Sequence, residues 1–547
     1  MKAKLSFFLI FTFLSAFFQP TLHSQIAPLT IAESSNYSKT SLYSDVLLFI
    51  QELQKKSPDI RVTSMGESEE GREIPLLILG DPVPASPQDL QYDDRAVVYF
   101  QANIHAGEVE GKEATLMLAR DILQDDDFPF LEDLVILITP IFNPDGNEKI
   151  GPENRRNQNG PELVGIRYNG QNLDLNRDAI KLESPEVGSM VDKVLNAWDP
   201  VILVDCHTTN GSYHQEPVTF VWGYNPNGDT VLIDYMYNKV APFIKKNMKE
   251  KYDILAMEYG NFMSYENLEM GWQPAGPQVR YITNYIGLRN RLALLDENYA
   301  YADFKTRVKG CYAFLHSVLE YCTENREEIQ NLLREADKKT IVRGLDPSPT
   351  DSFALEYEQH SLEEKIVIHG YEMKITPREG SWPLIEKLDK ERIYELPYYC
   401  HFTPQRSVRF PHAYLLTGTG NDILSKLLQH GITVERLIQP ATLKVEEFVI
   451  GELKAGEQPF QGHYMTSLKG HYQMVEKEFP AGTLVVTTAQ RLGNLVAYLL
   501  EAESDDGLVV WNFFDRYLTR QWGRGFGFYP VYKLYHPENL VTQTIER

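Results

Sequence analysis

Two histidines and a glutamate in the first half of the chain have the residue types and positions of a metal site. His105 and Glu108 form an H-x-x-E pair where an apolar, strand-like run gives way to a loop. A neutral imidazole and a carboxylate at this spacing can bind one Zn²⁺ when the turn directs both side chains inward. His207 directly follows the strand-like run Val201–Cys206, so we expect it at the carboxyl edge of a sheet, where open α/β sheets bind ligands. Each motif alone is weak, and a solvent-facing pair or a core-edge histidine would be the favoured explanation for it in isolation.

Two further polar segments could supply the remaining chemistry of a hydrolase. The segment Asn172–Asp178 places an amide and a guanidinium side by side at Asn176 and Arg177, and both groups can converge on a carboxylate. A second segment, at the end of an apolar run, contains Asp296 and Glu297. A carboxylate that enters an apolar site can act as a general base toward an activated water molecule.

Together, and in this order along the chain, the motifs resemble the zinc metallocarboxypeptidases typified by carboxypeptidase A. That family has an H-x-x-E pair, then an aspartate-rich segment with an N-R pair, then a strand-terminal histidine, and finally a catalytic glutamate. The resemblance covers roughly residues 40–340 and includes the turn Asn143–Gly146. The combination is specific, and it implies a mixed eight-stranded sheet between helices.

The resemblance implies a role for each matching residue. The ligands of a single Zn²⁺ are His105, Glu108 and His207. Water fills the fourth position, as a catalytic zinc site requires. Asp174 resembles the carboxylate that orients the first histidine, and Asn176 and Arg177 resemble the pair that binds the substrate's terminal carboxylate. Glu297 resembles the general base, with Asp296 as its competitor.

Two roles of the family match more than one residue here. The family polarises the scissile carbonyl with an upstream arginine, for which the candidates are Arg155, Arg156 and Arg167. We favour Arg167 because it precedes Arg177 by ten residues, as in divergent members such as the cytosolic carboxypeptidases. A tyrosine that closes over the substrate could be Tyr281 or Tyr285, and we assign Tyr285 to substrate binding.

Three arginines, Arg280, Arg289 and Arg291, precede the proposed base closely in the sequence. They could bind an anionic group of the substrate, or they could pair with acidic side chains of the protein. We favour the second interpretation, because charged clusters outside a recognised motif are more often paired than functional.

The elements around these motifs predict an α/β fold. Strand-like runs at Arg95–Ala102 and Leu134–Phe142 alternate with helix-like segments at Gly111–Leu123 and Phe304–Tyr321. This alternation favours a mixed, mostly parallel sheet sandwiched by helices. Short β-like runs and at least two helices after the Pro- and Ser-containing linker Asp346–Asp351 predict a β-rich α+β region.

The chain of 547 residues divides into three predicted parts. Lys2 and Lys4 precede the apolar run Leu5–Phe18, which is typical of a secretory signal, and we favour cleavage near residue 24 over an uncleaved anchor. The predicted parts are a signal peptide at 1–24, a catalytic domain at 25–344 and an accessory domain at 345–547. We therefore expect a secreted or periplasmic protein without a membrane span after cleavage.

Composition limits the partners of the protein. The chain has 76 acidic and 53 basic residues and a net charge of −23, which argues against nucleic acid as a partner.

Four cysteines in an exported chain could form disulfides. Cys311 and Cys322 lie in one predicted helix, too far apart to pair, so we expect at most one disulfide. The sequence does not indicate the oligomeric state.

The sequence thus predicts a zinc-dependent exopeptidase that acts on the C-termini of peptides or proteins. One alternative is a zinc amidase that cleaves a non-standard peptide or a cell-wall amide. Another is an exported binding protein with a vestigial metal site. The preferred C-terminal residue is not indicated by any motif.

Overall fold

An eight-stranded mixed sheet forms the centre of the first half of the molecule. The computed structural model describes residues 27–124, 128–378, 381–518 and 527–546, so the expected signal peptide at 1–24 lies outside the described residues. The strands of this sheet are β1 (Ile60–Glu67), β2 (Glu73–Leu79), β3 (Ala96–Ala102), β4 (Leu134–Thr139), β5 (Ile202–Thr209), β6 (Val218–Trp222), β7 (Ala256–Glu258) and β10 (Leu292–Tyr299). Two short strands, β8 (Asn261–Phe262) and β9 (Trp272–Gln273), pair separately.

The strand order is β1-β2-β4-β3-β5-β10-β6-β7. The pairs β4–β3, β3–β5, β5–β10 and β6–β7 are parallel, and the other three pairs are antiparallel. Every residue of β3 and β4 is buried, as expected for central strands covered on both faces. The predicted mixed, mostly parallel sheet is confirmed.

Helices cover this sheet and carry the chain between its strands. They are α1 (Ile31–Ser34), α2 (Tyr43–Lys56), α3 (Glu110–Gln124), α4 (Pro144–Glu148), α5 (Pro185–Met190), α6 (Thr230–Tyr235), α7 (Ala241–Tyr252), α8 (Ile282–Leu288), α9 (Phe304–Glu324) and α10 (Arg326–Leu345). In the described part of the chain, no helix is both long enough and apolar enough to cross a bilayer.

The C-terminal region, defined here as residues 352–546, is rich in strands. Its strands are β11 (Ser352–His360), β12 (Lys365–Arg378), β13 (Ser381–Pro397), β14 (His401–Arg409), β15 (Ala413–Leu416), β16 (Glu435–Leu437), β17 (Ala441–Ala455), β18 (Thr466–Phe479), β19 (Leu484–Thr487), β20 (Phe528–Leu534) and β21 (Thr542–Thr544). Its helices are α11 (Asn421–Gln429), α12 (Gly493–Leu500) and α13 (Asp515–Leu518). Seven strands form one sheet, in the order β18-β17-β20-β15-β19-β16-β21, and the remaining four form two pairs. The predicted β-rich α+β character is confirmed, while the exact domain boundaries stay predictions.

The C-terminal region packs directly against one face of the first half of the chain. Tyr285 and Ile286 of α8 share one buried apolar cluster with Leu495 of α12 and with Trp511. Trp272 of β9 lies in another cluster with residues of β12 and β13. Residues 271–289 are therefore enclosed between the central sheet and the C-terminal region.

The four cysteines are buried free thiols. Cys311 and Cys322 both lie in α9, as the helical pattern predicts. Cys206 lies in β5, and Cys400 lies between β13 and β14.

Candidate active site

The end of β3 directs His105 and Glu108 into one buried site. Asn103, just after the strand, adopts a left-handed backbone conformation with φ of 65°. Asparagine tolerates this conformation better than most residues. Its side-chain amide donates to the carbonyls of Ala106 and Glu108, each at 3.2 Å, and so fixes the turn. This turn presents the two side chains, each only 3 % exposed, to the carboxyl edge of the sheet.

His207 lies within β5 rather than after it, because the strand extends to Thr209. It is the partner of Glu297 in the parallel pairing of β5 with β10. Two adjacent strands therefore bring the third candidate ligand and the candidate base to the same edge. The sheet register alone sets their proximity.

The ligand atoms of His105, Glu108 and His207 all lie within 4.8 Å of one another. The Nδ1 atoms of the two histidines are 3.1 Å apart, and the Glu108 carboxylate lies 3.1 Å from His105 Nδ1 and 3.0 Å from His207 Nδ1. The opposite ring nitrogens face carboxylates, since His105 Nε2 is 2.9 Å from Asp174 and His207 Nε2 is 2.8 Å from Asp205.

This arrangement fits a divalent metal. A proton on each Nε2 satisfies the outer carboxylates and leaves two Nδ1 lone pairs and one carboxylate converging on a common point. Without a cation, three electron-rich groups would face each other in a buried space. Two imidazoles and a carboxylate with one open position form the donor set of catalytic zinc.

Asp205 is a positioning residue that motif reasoning missed. It lies two residues before His207 on β5, so both side chains project from the same face of the strand. Its side chain is fully buried and its carboxylate contacts His207 Nε2, as Asp174 contacts His105. The period-two pattern of a strand was the signal that could have revealed it.

The structure separates Glu297 from its competitor Asp296. Successive residues of β10 face opposite sides of the sheet. Glu297 lines the cavity beside the metal-site residues, whereas Asp296 faces Cys206 and Cys311 on the other side. The pKa of Glu297 is raised to about 8, chiefly by burial and also by nearby Glu108, while the positive groups around it oppose the shift.

Two of the three candidate arginines reach the site. Arg155 contacts Glu108 at 2.8 Å and donates to the Thr208 carbonyl at 2.9 Å. Arg167 donates to Asp174 at 2.8 Å and lies 3.5 Å from Glu108. Arg156 is directed away, because its side chain is 76 % exposed and pairs with Glu153. Arg155 and Arg167 both line the cavity, so both remain candidates for carbonyl polarisation.

Asn176 and Arg177 line the same cavity from a short 3-10 turn, Leu175–Arg177. Asp174 begins this turn and accepts a hydrogen bond from the Asn176 backbone N–H at 3.0 Å. The side-chain oxygen of Asn176 accepts from the Ile282 N–H at 3.1 Å. The guanidinium of Arg177 lies 4.6 Å from the centre of the Tyr281 ring. One carboxylate, Asp174, therefore connects the metal-site histidine to the recognition turn.

The position of Tyr285 contradicts its assignment to substrate binding. Its ring is fully buried in the core, and its hydroxyl lies 2.8 Å from His430 Nδ1 and 3.2 Å from Arg289. The reason is that Tyr285 lies one turn inside α8, which packs against the C-terminal region. Tyr281, just before this helix, does line the cavity.

Tyr259 is a cavity residue that the sequence did not reveal. It lies between β7 and β8, where no motif marks it, and its ring lines the cavity. Its backbone carbonyl accepts from the Tyr398 hydroxyl at 2.9 Å. Burial, together with nearby Glu297, raises the pKa of Tyr259 above its ordinary value, so its hydroxyl is protonated at neutral pH.

The cavity has a volume of about 310 Å³ and combines charged and neutral surfaces. All of its charged residues belong to the groups already described. The remaining lining is neutral, and includes Val221, Tyr224, Ala275, Thr283 and Leu295. Val221 and Leu295 are paired neighbours on β6 and β10, two residues deeper along β10 than Glu297. The arrangement can therefore enclose a neutral side chain next to a charged reaction centre.

The comparison with protein families agrees with this geometry. Residues 46–225 match the family model described as zinc carboxypeptidase. The matched segment includes the three metal-site residues, Asp174 and the Asn176–Arg177 pair, and it ends before Glu297. Residues 46–225 of the chain are therefore similar to zinc carboxypeptidases, and the match does not extend over the rest of the chain.

Three of the solved structures with a detectable likeness are described as carboxypeptidases. A metallo-carboxypeptidase from Burkholderia cenocepacia is 18% identical, with 52% of this chain and 69% of that chain covered and a TM-score of 0.38. A metallo-carboxypeptidase from Pseudomonas aeruginosa is 15% identical, with coverages of 53% and 70% and a TM-score of 0.38. Carboxypeptidase A from Helicoverpa armigera is 17% identical, with coverages of 55% and 74% and a TM-score of 0.38. No curated protein matches the chain.

Proposed function

We propose that this protein is a zinc-dependent exopeptidase that removes single residues from the C-terminus of peptides. The observation that carries this proposal is that one cavity is lined by the His105–Glu108–His207 site, by the buried Glu297, and by Asn176 and Arg177. The residues of a hydrolytic centre and of a carboxylate-binding pair therefore line one and the same cavity.

Each of these residues has a separate role in the proposed reaction. His105, Glu108 and His207 would hold a zinc ion, which would supply Lewis-acid activation of water and of the scissile carbonyl. Glu297 accepts a proton from the attacking water and returns it to the nitrogen of the leaving amine. Arg167 donates to the oxygen that becomes negatively charged as the tetrahedral intermediate forms.

Specificity for the chain end follows from the charge of Arg177. A free carboxylate pairs with its guanidinium and with the amide of Asn176. An internal peptide bond offers no carboxylate there and leaves a desolvated guanidinium unpaired, which is costly. Because the rest of the lining is neutral, we propose that neutral C-terminal side chains are preferred over charged ones.

Export of the enzyme is a separate proposal that rests on the charged and apolar N-terminal sequence. We propose cleavage near residue 24 and location outside the cytoplasm. Mass spectrometry of the N-terminal peptide from the exported fraction tests this proposal, with a start near Gln25 as the expected result. A mature chain that retains Met1 would contradict cleavage.

The experiment that tests the proposed activity compares a free-acid peptide with its C-terminally amidated twin. We expect release of the last residue from the free acid and at least 100-fold slower cleavage of the amide, since a site built for a buried charge rejects ligands that lack it. Equal rates would favour the amidase alternative. Cleavage at internal bonds of both peptides would contradict an exopeptidase.

A further inference from the structure

Asp506 of the C-terminal region holds an arginine next to the recognition site. The backbone N–H and the Nε of Arg280 donate to Asp506 Oδ2 at 2.6 and 3.1 Å, and Nη2 lies 2.9 Å from Oδ1. The Trp511 indole donates to the same carboxylate at 3.0 Å. Asp506 is fully buried, and the Arg280 guanidinium lies close to the rings of both Trp511 and Phe460, 5.1 and 5.4 Å from their centres.

The residues that follow Arg280 contact both members of the carboxylate-binding pair. Tyr281 places its ring against the Arg177 guanidinium at 4.6 Å. The N–H of Ile282 donates to the side-chain oxygen of Asn176 at 3.1 Å. The segment Arg280–Ile282 therefore connects Asp506 to the recognition turn through three consecutive residues.

A second contact reaches the same turn from another loop of the C-terminal region. Gln461, in the loop between β17 and β18, accepts a hydrogen bond from the Asp174 N–H at 2.8 Å. Asp174 is the first residue of the turn that carries Asn176 and Arg177. The C-terminal region thus contacts the recognition site at two independent points.

The segment before Tyr281 has little regular structure to hold it in place. Between β7 and α8 the chain forms only two-residue strands and one 3-10 turn. Irregular segments position side chains accurately only when other groups fix their backbone, and a displacement of about 1 Å can cost a large factor in rate.

We infer that the C-terminal region has a function in substrate recognition, in which Asp506 positions Arg280–Ile282 and thereby Asn176 and Arg177. Asp506 and Gln461 are positioning residues, because neither lines the cavity. This inference rests on the proposed exopeptidase function, and it assigns a role to the part of the chain that the family match does not cover.

The test uses the full chain with Asp506→Asn, which keeps the size of the side chain and removes its charge. We expect KM for the free-acid peptide to rise by about tenfold or more, with kcat changed by less than about threefold. Cleavage of the amidated twin should not change, because that peptide does not use the recognition pair. A purely structural role would lower activity on both peptides together.

Glu503→Gln is the matched control. Glu503 is also a buried carboxylate, three residues away in the same segment, and it pairs with Arg406 at 2.8 Å inside the C-terminal region. Loss of the Glu503 charge should leave KM for both peptides unchanged. A folded Asp506→Asn protein with wild-type KM, or equal losses on both peptides, overturns the inference.

If Asp506→Asn does not fold, Gln461→Asn decides the question. Asparagine is too short to reach Asp174, yet it tolerates the left-handed backbone of this position, where φ is 52°. We expect KM for the free acid to rise by about threefold, and an unchanged KM overturns the inference. Failure of the proposed function would appear separately, as equal rates on both peptides in the wild-type protein.

Discussion

The two ends of the catalytic cavity are built in different ways. At the metal end, His105, His207 and Glu297 project from the carboxyl edges of three neighbouring strands, and Asp205 supports them from within β5. At the recognition end, Asn176 and Arg177 lie on a 3-10 turn that depends on an irregular segment and on the C-terminal region. The sheet register fixes the first end, whereas contacts between distant parts of the chain fix the second.

This difference teaches where each end is vulnerable. Substitutions at the metal end should affect chemistry and metal affinity without changing selectivity for the free carboxylate. Substitutions at the recognition end should affect that selectivity without changing metal content. A variant that mixes the two effects would break the comparison.

The largest expected effect is that of Glu297→Gln at the metal end. Because the amide cannot accept the proton, kcat should fall by about 10²- to 10⁴-fold. Zinc content, measured by elemental analysis, should stay at the wild-type value. Asp296→Asn, on the opposite face of β10, is the control and should lower kcat far less. Undiminished hydrolysis by zinc-loaded Glu297→Gln would contradict the assignment of the base.

Arg177→Gln is the corresponding change at the recognition end. Loss of a charge-assisted contact of about 1.5–3 kcal/mol should reduce kcat/KM for free-acid peptides by roughly 10- to 150-fold. The amidated twin should be cleaved at an unchanged rate. The exposed Arg156→Gln serves as a control for general charge effects. A similar loss of kcat/KM on both peptides would show that Arg177 does not recognise the C-terminal carboxylate.

The contact of Asp205 with His207 allows a test within the metal end of the cavity. Asp205→Asn should weaken zinc binding by about 10- to 100-fold, since the carboxylate keeps the His207 ring oriented and basic. Competition with a chromogenic chelator measures the affinity. Unchanged zinc affinity would mean that the strand alone orients His207.

The sequence predicted the metal end better than the recognition end. His105, Glu108, His207 and Glu297 could be proposed from the sequence because their types and order form short motifs near the ends of apolar runs. Tyr259 and Asp506 were missed, because their positions depend on contacts between segments that are 139 and 226 residues apart in the chain. Tyr285 was placed wrongly because spacing from a motif does not show which part of α8 faces the core.

The arginine cluster illustrates the same limit. Pairing with acidic residues was the favoured interpretation, and it is confirmed for Arg291, which contacts Asp199 and Asp337 at 2.7 and 3.0 Å. Arg280 also pairs, but its partner is the buried Asp506 rather than a surface acid. No local pattern identifies a partner that lies 226 residues later in the chain.

The smallest expected effect concerns His463, which joins the β17–β18 loop to Glu183. The hydrogen bond to Glu183, 2.9 Å away, raises the pKa of His463, while burial and nearby Lys181 oppose the shift. Because the folded-state pKa is raised, the contact stabilises the protein fully below about pH 6.5 and is lost as pH rises through the folded-state pKa.

His463→Gln should therefore lower the free energy of unfolding by at most about 1 kcal/mol, and only at low pH. Thermal unfolding of both proteins across this pH range measures the difference. Glu503→Gln, which leaves this contact intact, should show no such pH dependence. A His463 effect that grows with increasing pH would contradict the assigned pair.

The central claim, that His105, Glu108 and His207 form the centre of a zinc exopeptidase, is tested most directly by titration of zinc into chelator-treated protein. Release of the C-terminal residue from a free-acid peptide is followed at each zinc-to-protein ratio. We predict no hydrolysis without metal and a linear return of activity that saturates at one zinc per chain. Full activity of the metal-free protein would contradict the account.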